Sequence, residues 1–504
     1  MESKQLEFDL HITNLGNIRK SDIFGFYKFL VNKYNLQNHV LLESASEFTK
    51  EPLFSFIAIN PDYLIEINGD SHKIYNITTE RGETIKETLE SSEQHPTSNP
   101  LPFQDNVDYN MKALNTLGKI TPYSKLPFTE LFPRNIFYGG YLGFISYDIV
   151  APYVGFESTS DFPEILMGLF TKVLVFSHSH NALYLIDNSI DDYSKDKDIR
   201  YKLSLFNRGE NGTFNKEISY DIEDIDESVF RSNTSQSAHA RMVEKTKEYI
   251  YAGDIIQAVI SRRLYYDSKI NPLSIYEVLR LLNPSPYMYN IQMDNIKIIG
   301  SSPEALVSKN KDVLTTVPIA GTRPRGKTPE EDMKLEKELL EDEKELSEHM
   351  MLVDLARNDL AKISYPGNVD EFELFKIRKY QKVMHIISKI RSRTPLDCFQ
   401  VLKSVFPAGT VSGAPKLSAM RILNELETES RGPYGGCVGY LSFNGDLDMA
   451  ITIRTLFGMN GKYFAQAGGG IVADSVPENE YNETYIKMYS ILKSVLIAEQ
   501  LSID

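Results

Sequence analysis

The chain has 504 residues, 42% of them hydrophobic, and its 54 basic against 69 acidic side chains leave a formal charge of −15. That length supports two to four domains with sizeable cores. An acidic chain without a dense Lys/Arg block excludes a nucleic-acid-binding surface, which needs clustered cations. There are 29 Tyr and 26 Phe but no Trp, and any small anion must be gripped by a few placed cations or a metal ion rather than by the overall field.

The opening residues, MESKQLEFDLHITNLGNIRK, carry neither an apolar signal core nor a small-residue cleavage pattern, and the two cysteines, Cys398 and Cys437, are too few for a disulfide framework. A cytoplasmic location is expected. The apolar stretches Ile165 to Ser177 and Tyr138 to Phe156 are interrupted by Lys172 and Asp148. They fall short of an uncharged span of roughly 18 residues, so no membrane helix is predicted.

In chain order, short β-rich pieces come first: VLLES near Val40, LFSFIAIN near Phe54, YLIEI near Leu64, FYGGYLGFISYDI near Tyr141, then LMGLFTKVLVFSH leading to NALYLID. These read as antiparallel strands with long insertions. Two polar, turn-rich stretches punctuate the chain, SSEQHPTSNP at 91–100 and the segment from Asn207 to Ser237. The second is the better boundary and divides the chain into residues 1–235 and 236–504. After it, AHARMVEKTKEYIYAGD predicts an amphipathic helix stopped at Gly253 and followed by a strand.

The strongest helical signal runs from Thr328 to Ile363, with Pro329 early, acids in the first turns, and Leu335, Leu339, Leu346, Met350, Val353 and Leu355 along one side. From Tyr434 to Ala473 Gly-rich turns alternate with strand-like runs, and a last helix spans about Asn479 to Gln500. Strands and helices are segregated, which predicts an α+β fold of layered antiparallel β-sheets with helices outside.

Several residues invite chemistry. Glu345 and Glu348 share a helix face, and PENEYNET supplies Glu478, Glu480 and Glu483 at the start of the last helix. One oxygen ligand from each helix would suit Mg²⁺, although spacing alone reads first as a solvated acidic face. Gly468-Gly469-Gly470 follows a strand-like KYFAQ and could bring backbone N–H groups near an anion, but satisfies no Walker or GxGxxG pattern and reads first as a tight turn. Arg454, in the middle of the apolar strand MAITIRTLF, needs an anion, either a structural partner or a ligand. His385 in KVMHIIS reads first as a core histidine, and Cys437 as a small buried side chain.

Taken together, LLES (Leu41–Ser44), NPSPYM (Asn283–Met288), GSSPEALV (Gly300–Val307), PIAGTRPRG (Pro318–Gly326), ELSEHMMLVDLARNDL (Glu345–Leu360), VMH (Val383–His385), FPAGTVSGAPK (Phe406–Lys416), RGPYGGCVGY (Arg431–Tyr440), ITIRT (Ile451–Thr455), QAGGGIV (Gln466–Val472) and DSVPENEYNET (Asp474–Thr484) resemble the chorismate-binding enzymes. Within that family they are similar to the large subunits that form anthranilate. The resemblance implies amination of chorismate by ammonia followed by loss of pyruvate, the first step toward tryptophan. It implies Mg²⁺ on Glu348 and Glu483, and chorismate held by Gly321, Thr322, Tyr434, Arg454, Gly468, Gly469 and Gly470. Glu304 is implied as the acid, His385 as the group acting in the elimination, and Thr410 as their neighbour.

Gln257 stands where the water-using relatives carry a lysine, and Ala320 where aminodeoxychorismate synthase carries one. Both favour anthranilate, with the para-directed enzyme as the alternative. A non-enzymatic tryptophan sensor with this fold would be expected to have lost the metal carboxylates, which are present. No Gly-x-Cys-x-Gly elbow surrounds Cys398 or Cys437, so ammonia is expected from a separate glutaminase subunit in a heterotetramer of two large and two small chains. The resemblance further implies a regulatory part in residues 1–235 packed on the catalytic part, with L-tryptophan as inhibitor on Ser44, Pro286, Tyr287 and Met288. Pro52-Leu53-Phe54-Ser55 departs from the Gly-Arg-Tyr-Ser of some relatives.

Overall fold

The computed structural model describes residues 10–18, 23–44, 54–78, 82–83, 86, 111–119, 136–188, 196–207, 225–380 and 383–503. The polar stretch 91–100, Pro52 and Leu53, and most of the predicted linker (208–224) lie outside the described residues.

Near-continuous apolar strands such as ILMGLF at Ile165–Phe170 are buried along their whole length, the pattern of a sheet covered on both faces. Because side chains alternate along a strand, each strand feeds two cores. Leu41 and Ile57 point to a core shared with the helices Ile23–Tyr34, Pro272–Leu282 and Pro477–Ile503, whereas Val40, Phe56 and Ala58 point to a middle core. From the other side Leu142, Phe144 and Val438 enter the same middle core, while Tyr141, Ile145 and Cys437 face a third core with the helices Glu343–Ala361 and Cys398–Val405. The result is four layers, helix, sheet, sheet, helix.

Among the described residues the first sheet has twelve strands and the second eleven, with the recorded pairings antiparallel. Both take strands from the two sides of residue 235. His39–Glu43 pairs with Tyr287–Met293 at Glu43↔Met288 in one, and Gly140–Ile145 pairs with Cys437–Ser442 at Phe144↔Val438 in the other. The expected short strands are all present, distributed between the sheets. The helix Gln236–Ala252 ends on Gly253 at φ 83°, a left-handed cap suited to glycine.

Two features differ from expectation. The predicted helix from Thr328 to Ile363 is two helices, Pro329–Glu341 and Glu343–Ala361, broken at the extended Asp342, whose carboxylate accepts from the N–H groups of Lys344 and Glu345. Met350 lies exposed, while Leu339 and Val353 are buried. No helix among the described residues is long and apolar enough to cross a membrane.

Two of the chain's passages from one sheet to the other lie side by side. Ile296–Ser302 in the first sheet leads through Glu304 into Ala305–Asn310 of the second, and Leu447–Ile451 of the second leads through Arg454 into Thr455–Met459 of the first. The crossings are tied by Ile451 N–H to Glu304 O (3.0 Å), Ser301 N–H to Arg454 O (3.1 Å) and Ser302 Oγ to Ile451 O (2.7 Å).

Candidate active site

Arg454 is therefore not in the middle of a strand, as its sequence suggested, but on a crossover with φ 52°, a left-handed conformation uncommon for a side-chain-bearing residue. Its guanidinium makes no hydrogen bond or ion pair among the described residues. Burial lowers its pKa, against the pull of Tyr434, Glu483 and Glu304. A half-buried cation without a partner is costly unless an anion arrives.

Groups expected to matter surround it. Glu304 is 8% exposed, and burial pushes its carboxyl up to about 7, against Thr410, Lys487 and Arg454. Thr410 Oγ1 is buried with no other partner and, with Glu304, lines a cavity bounded by Leu352, Leu355, Asp359 and Val405. Tyr434 is buried, and its hydroxyl is raised to about 12 by that burial, with Arg431 and Arg454 opposing.

His385 sits on the strand Val383–Arg393 opposite Thr322, where a β-bulge at Gly321 interrupts the register. Gly321 has φ +65°, and a Cβ there would stand 3.1 Å from both Ile386 and Leu339. The bulge turns the Gly321 carbonyl onto His385 Nδ1 at 2.9 Å, with Thr322 Oγ1 at 3.0 Å. A carbonyl only accepts, so Nδ1 carries the proton and Nε2 is left with its lone pair. Burial lowers the His385 pKa, as does Arg454, while the Gly321 bond opposes them. Burial thus favours the neutral form of a ring that leaves the Nε2 lone pair unused.

The acidic residues of the two helices converge. Glu348 is raised by burial and by Glu345, Glu483 and Glu480, with Lys344 opposing. Glu480, left without a role in the sequence reading, has a buried Oε2 with no partner, and its pKa is raised by burial and by Glu483. Glu483 is paired at 2.6 Å with Lys487, which also donates to Gly468 O at 2.8 Å. Glu348 and Glu480, both raised by neighbouring carboxylates, and the unpaired Glu480 oxygen leave room for added positive charge. Among the described residues no group of three or more His, Cys, Asp or Glu closes a metal cage. The donor set instead fits a hard cation that takes one or two carboxylates and keeps water.

Gly468–Gly470 do not form the expected turn. They lie within the strand Lys462–Ile471, paired with Gln257–Asp267. Their lack of Cβ makes room: at Gly469 it would meet Glu480 Oε2 at 2.7 Å, and at Gly470 Gln257 Nε2 at 2.4 Å. Glu480 and Lys487 carried a faint signal, three and four residues from Glu483 on one helix face. Ser44 Oγ donates to Pro286 O at 3.2 Å, with Tyr287 and the buried Met288 following. That pair lies apart from the Arg454 group but is joined to it by Ser285 and Ser301, whose hydroxyls meet at 2.8 Å.

A family profile described as chorismate binding enzyme matches residues 39–493. The chain is 40% identical over 484 residues to anthranilate synthase component 1 of Aquifex aeolicus, covering 94% of this chain and 92% of that one. It is 41% identical over 477 residues to the protein of the same name from Acetivibrio thermocellus, with 90% and 89% covered. The crystal structure of anthranilate synthase component I from Streptococcus pneumoniae superposes with a TM-score of 0.67 at 32% identity, covering 88% of this chain and 93% of that one. The menaquinone-specific isochorismate synthase of Escherichia coli, at 16% identity with 97% and 95% covered, shares the fold with a TM-score of 0.62. The chain belongs to the chorismate binding enzyme family.

Proposed function

We propose that this chorismate-binding enzyme is the large subunit of an anthranilate synthase, a lyase that aminates chorismate with ammonia and releases pyruvate. The observation that carries this reading is the unpartnered guanidinium of Arg454, flanked by a carboxyl poised near neutrality and by an imidazole whose neutral form burial favours. The relatives' names support it.

Arg454 and Tyr434 take the enolpyruvyl carboxylate, a charge-assisted contact in a water-poor site. Gly321, Thr322 and the backbone of Gly468, Gly469 and Gly470 border the rest of the substrate. Glu348 and Glu483 would hold Mg²⁺, which would supply an anchor for the ring carboxylate and offset the repulsion expected of a chain with charge −15. Glu304, protonated in part at pH 7, gives its proton to the C4 hydroxyl, which leaves as water while ammonia bonds to C2. Thr410 orients that carboxyl. His385 Nε2 then removes the C2 proton as the ring–oxygen ether bond breaks; the enolate leaves and takes up a proton to become pyruvate, and the ring becomes aromatic.

Ammonia comes from a glutaminase partner, in a complex of two large and two small chains. Cys398 and Cys437 are both buried, and burial pushes the Cys437 thiol well up, the opposite of a nucleophile. L-Tryptophan is the feedback inhibitor, bound where Ser44 meets Pro286, Tyr287 and Met288.

Purified chain given chorismate and an ammonium salt should produce fluorescent anthranilate only with Mg²⁺, and glutamine should not replace ammonium. His385→Ala should accumulate an aminated intermediate that still carries the enolpyruvyl group. A para-aminated product, or wild-type anthranilate output from His385→Ala, overturns the reading.

A further inference from the structure

The largest fully buried side chain in the described protein is not in the substrate site. Arg262, 0% exposed, lies on the strand Gln257–Asp267 beneath the first turns of the helix Pro477–Ile503. Its Nε donates to Thr484 Oγ1 at 2.6 Å, its Nη1 to Glu227 Oε1 at 2.5 Å, and its guanidinium stacks 3.8 Å from the Tyr481 ring centroid. Thr484 Oγ1 in turn donates to Tyr481 O at 2.7 Å, and Tyr481 OH reaches Glu227 at 3.4 Å. Nη2 is buried without a partner. On the far strand Arg262 is opposite Ala467, the residue before the three glycines.

A helix turns about 100° per residue, so Glu480, Glu483 and Lys487 share one face and Tyr481 and Thr484 occupy the next. Whatever fixes Tyr481 and Thr484 fixes the direction in which Glu480 and Glu483 project. A planar guanidinium can stack on a ring and donate in its own plane at the same time, which an ammonium cannot.

We propose that Arg262 is a positioning residue for the cation site: by stacking on Tyr481 and donating to Thr484 it locks the rotation of the C-terminal helix and aims Glu480 and Glu483 at Glu348. This rests on the reading of Glu348 and Glu483 as Mg²⁺ ligands. Outer groups that orient metal ligands typically contribute 10- to 100-fold in affinity, and that range is the expected loss.

The test is Mg²⁺ titration by calorimetry and by thermal shift on the full chain, with steady-state kinetics at several Mg²⁺ concentrations. Arg262→Met fills the space and leaves Glu227 free to turn to solvent. It should weaken Mg²⁺ binding 10- to 100-fold and shift the Mg²⁺ dependence of the rate by the same factor, with the rate recovering at high Mg²⁺. Arg262→Lys should fall between Met and wild type, and Thr484→Val should move in the direction of Met. Glu483→Gln serves as control: if it binds Mg²⁺ as wild type does, the metal reading itself fails. If Glu483→Gln loses the ion while Arg262→Met and Thr484→Val bind it unchanged, Arg262 is only a core residue and the proposal is overturned.

Discussion

Two arginines 23 residues apart, Arg431 buried and Arg454 half-buried, have opposite surroundings. Arg431 donates twice to Glu427 (both 2.8 Å), to Val411 O (2.6 Å) and to Val259 O (2.7 Å), and stacks near Tyr147. Burial disfavours its charge, but Glu427 outweighs burial and its pKa stays above the usual value. Arg454 has no such partner, and burial wins. The first is a rivet between the strand Gln257–Asp267 and the turn at Gly409–Ser412; the second is a charge held ready. What separates the two is the completeness of the partner set, not residue type.

Substituting the two arginines separately is the strongest way to break the comparison. Arg431→Ala leaves the Glu427 carboxylate without its cation, held only by Ser261, which should cost about 3–5 kcal/mol of unfolding free energy in urea titration. Arg454→Gln removes no internal partner, so stability should hold or rise slightly. Its kcat/KM for chorismate should fall by about 10²- to 10³-fold, on the order of 3–4 kcal/mol. A loss of stability in Arg454→Gln equal to that in Arg431→Ala would erase the distinction.

Glu304 sharpens the same contrast through pH. Its folded pKa, about 7, lies above the ordinary 4.5, so folding favours the neutral form. Stability from that group is full below pH 4.5 and is lost as pH rises through 7, to an extent of about 3 kcal/mol. Glu304→Gln keeps the neutral shape at every pH. It should therefore match wild type in stability at pH 4 and exceed it at pH 8, while turning over 10²- to 10⁴-fold more slowly. The wild-type rate should decline above about pH 7 as the acid ionises. Equal stabilities at pH 8, by denaturant titration, would show that the carboxyl is not held neutral.

Local signals carried the layers and most elements. The strand runs before residue 190, the stop at Gly253 and Pro329 at a helix start are read from a few adjacent residues, because strand alternation and helix caps are local physics. The misread positions depend on remote partners. Asp342 breaks a helical run because Arg323, 19 residues earlier, bonds its carboxylate at 2.7 Å while the same group caps the next helix. Gly468–Gly470 stay extended because Glu480 and Gln257 occupy the space a Cβ would need. Arg454 looked like a strand residue because nothing in MAITIRTLF announces that the chain changes sheets there, beside a second change at Glu304. That pairing of crossovers brings an acid and a guanidinium from 150 residues apart into one site, and only tertiary structure reveals it.

A third region has both characters at adjacent residues. Glu43 is saturated by Arg280 (2.6 and 2.8 Å) and Tyr276 (2.8 Å), much as Glu427 is by Arg431, whereas the next residue, Ser44, makes a single hydroxyl bond to Pro286 O. By the partner rule Glu43 is structural and Ser44 is available. Ser44→Ala should change stability by no more than about 1 kcal/mol and leave chorismate kinetics unchanged. It should weaken L-tryptophan binding by about fivefold, near 1 kcal/mol. Because the chain has no Trp, indole emission in a titration comes from the ligand alone. The contact also reaches the other site: Ser285 meets Ser301 Oγ, and Ser301 N–H holds the Arg454 carbonyl. If tryptophan lowers chorismate affinity through that join, chorismate must lower tryptophan affinity by the same factor. A factor that keeps growing with the concentration of the other ligand, instead of levelling off, would place the inhibitor in the substrate site, and no effect of either ligand on the other would sever the route from Ser44 to Arg454.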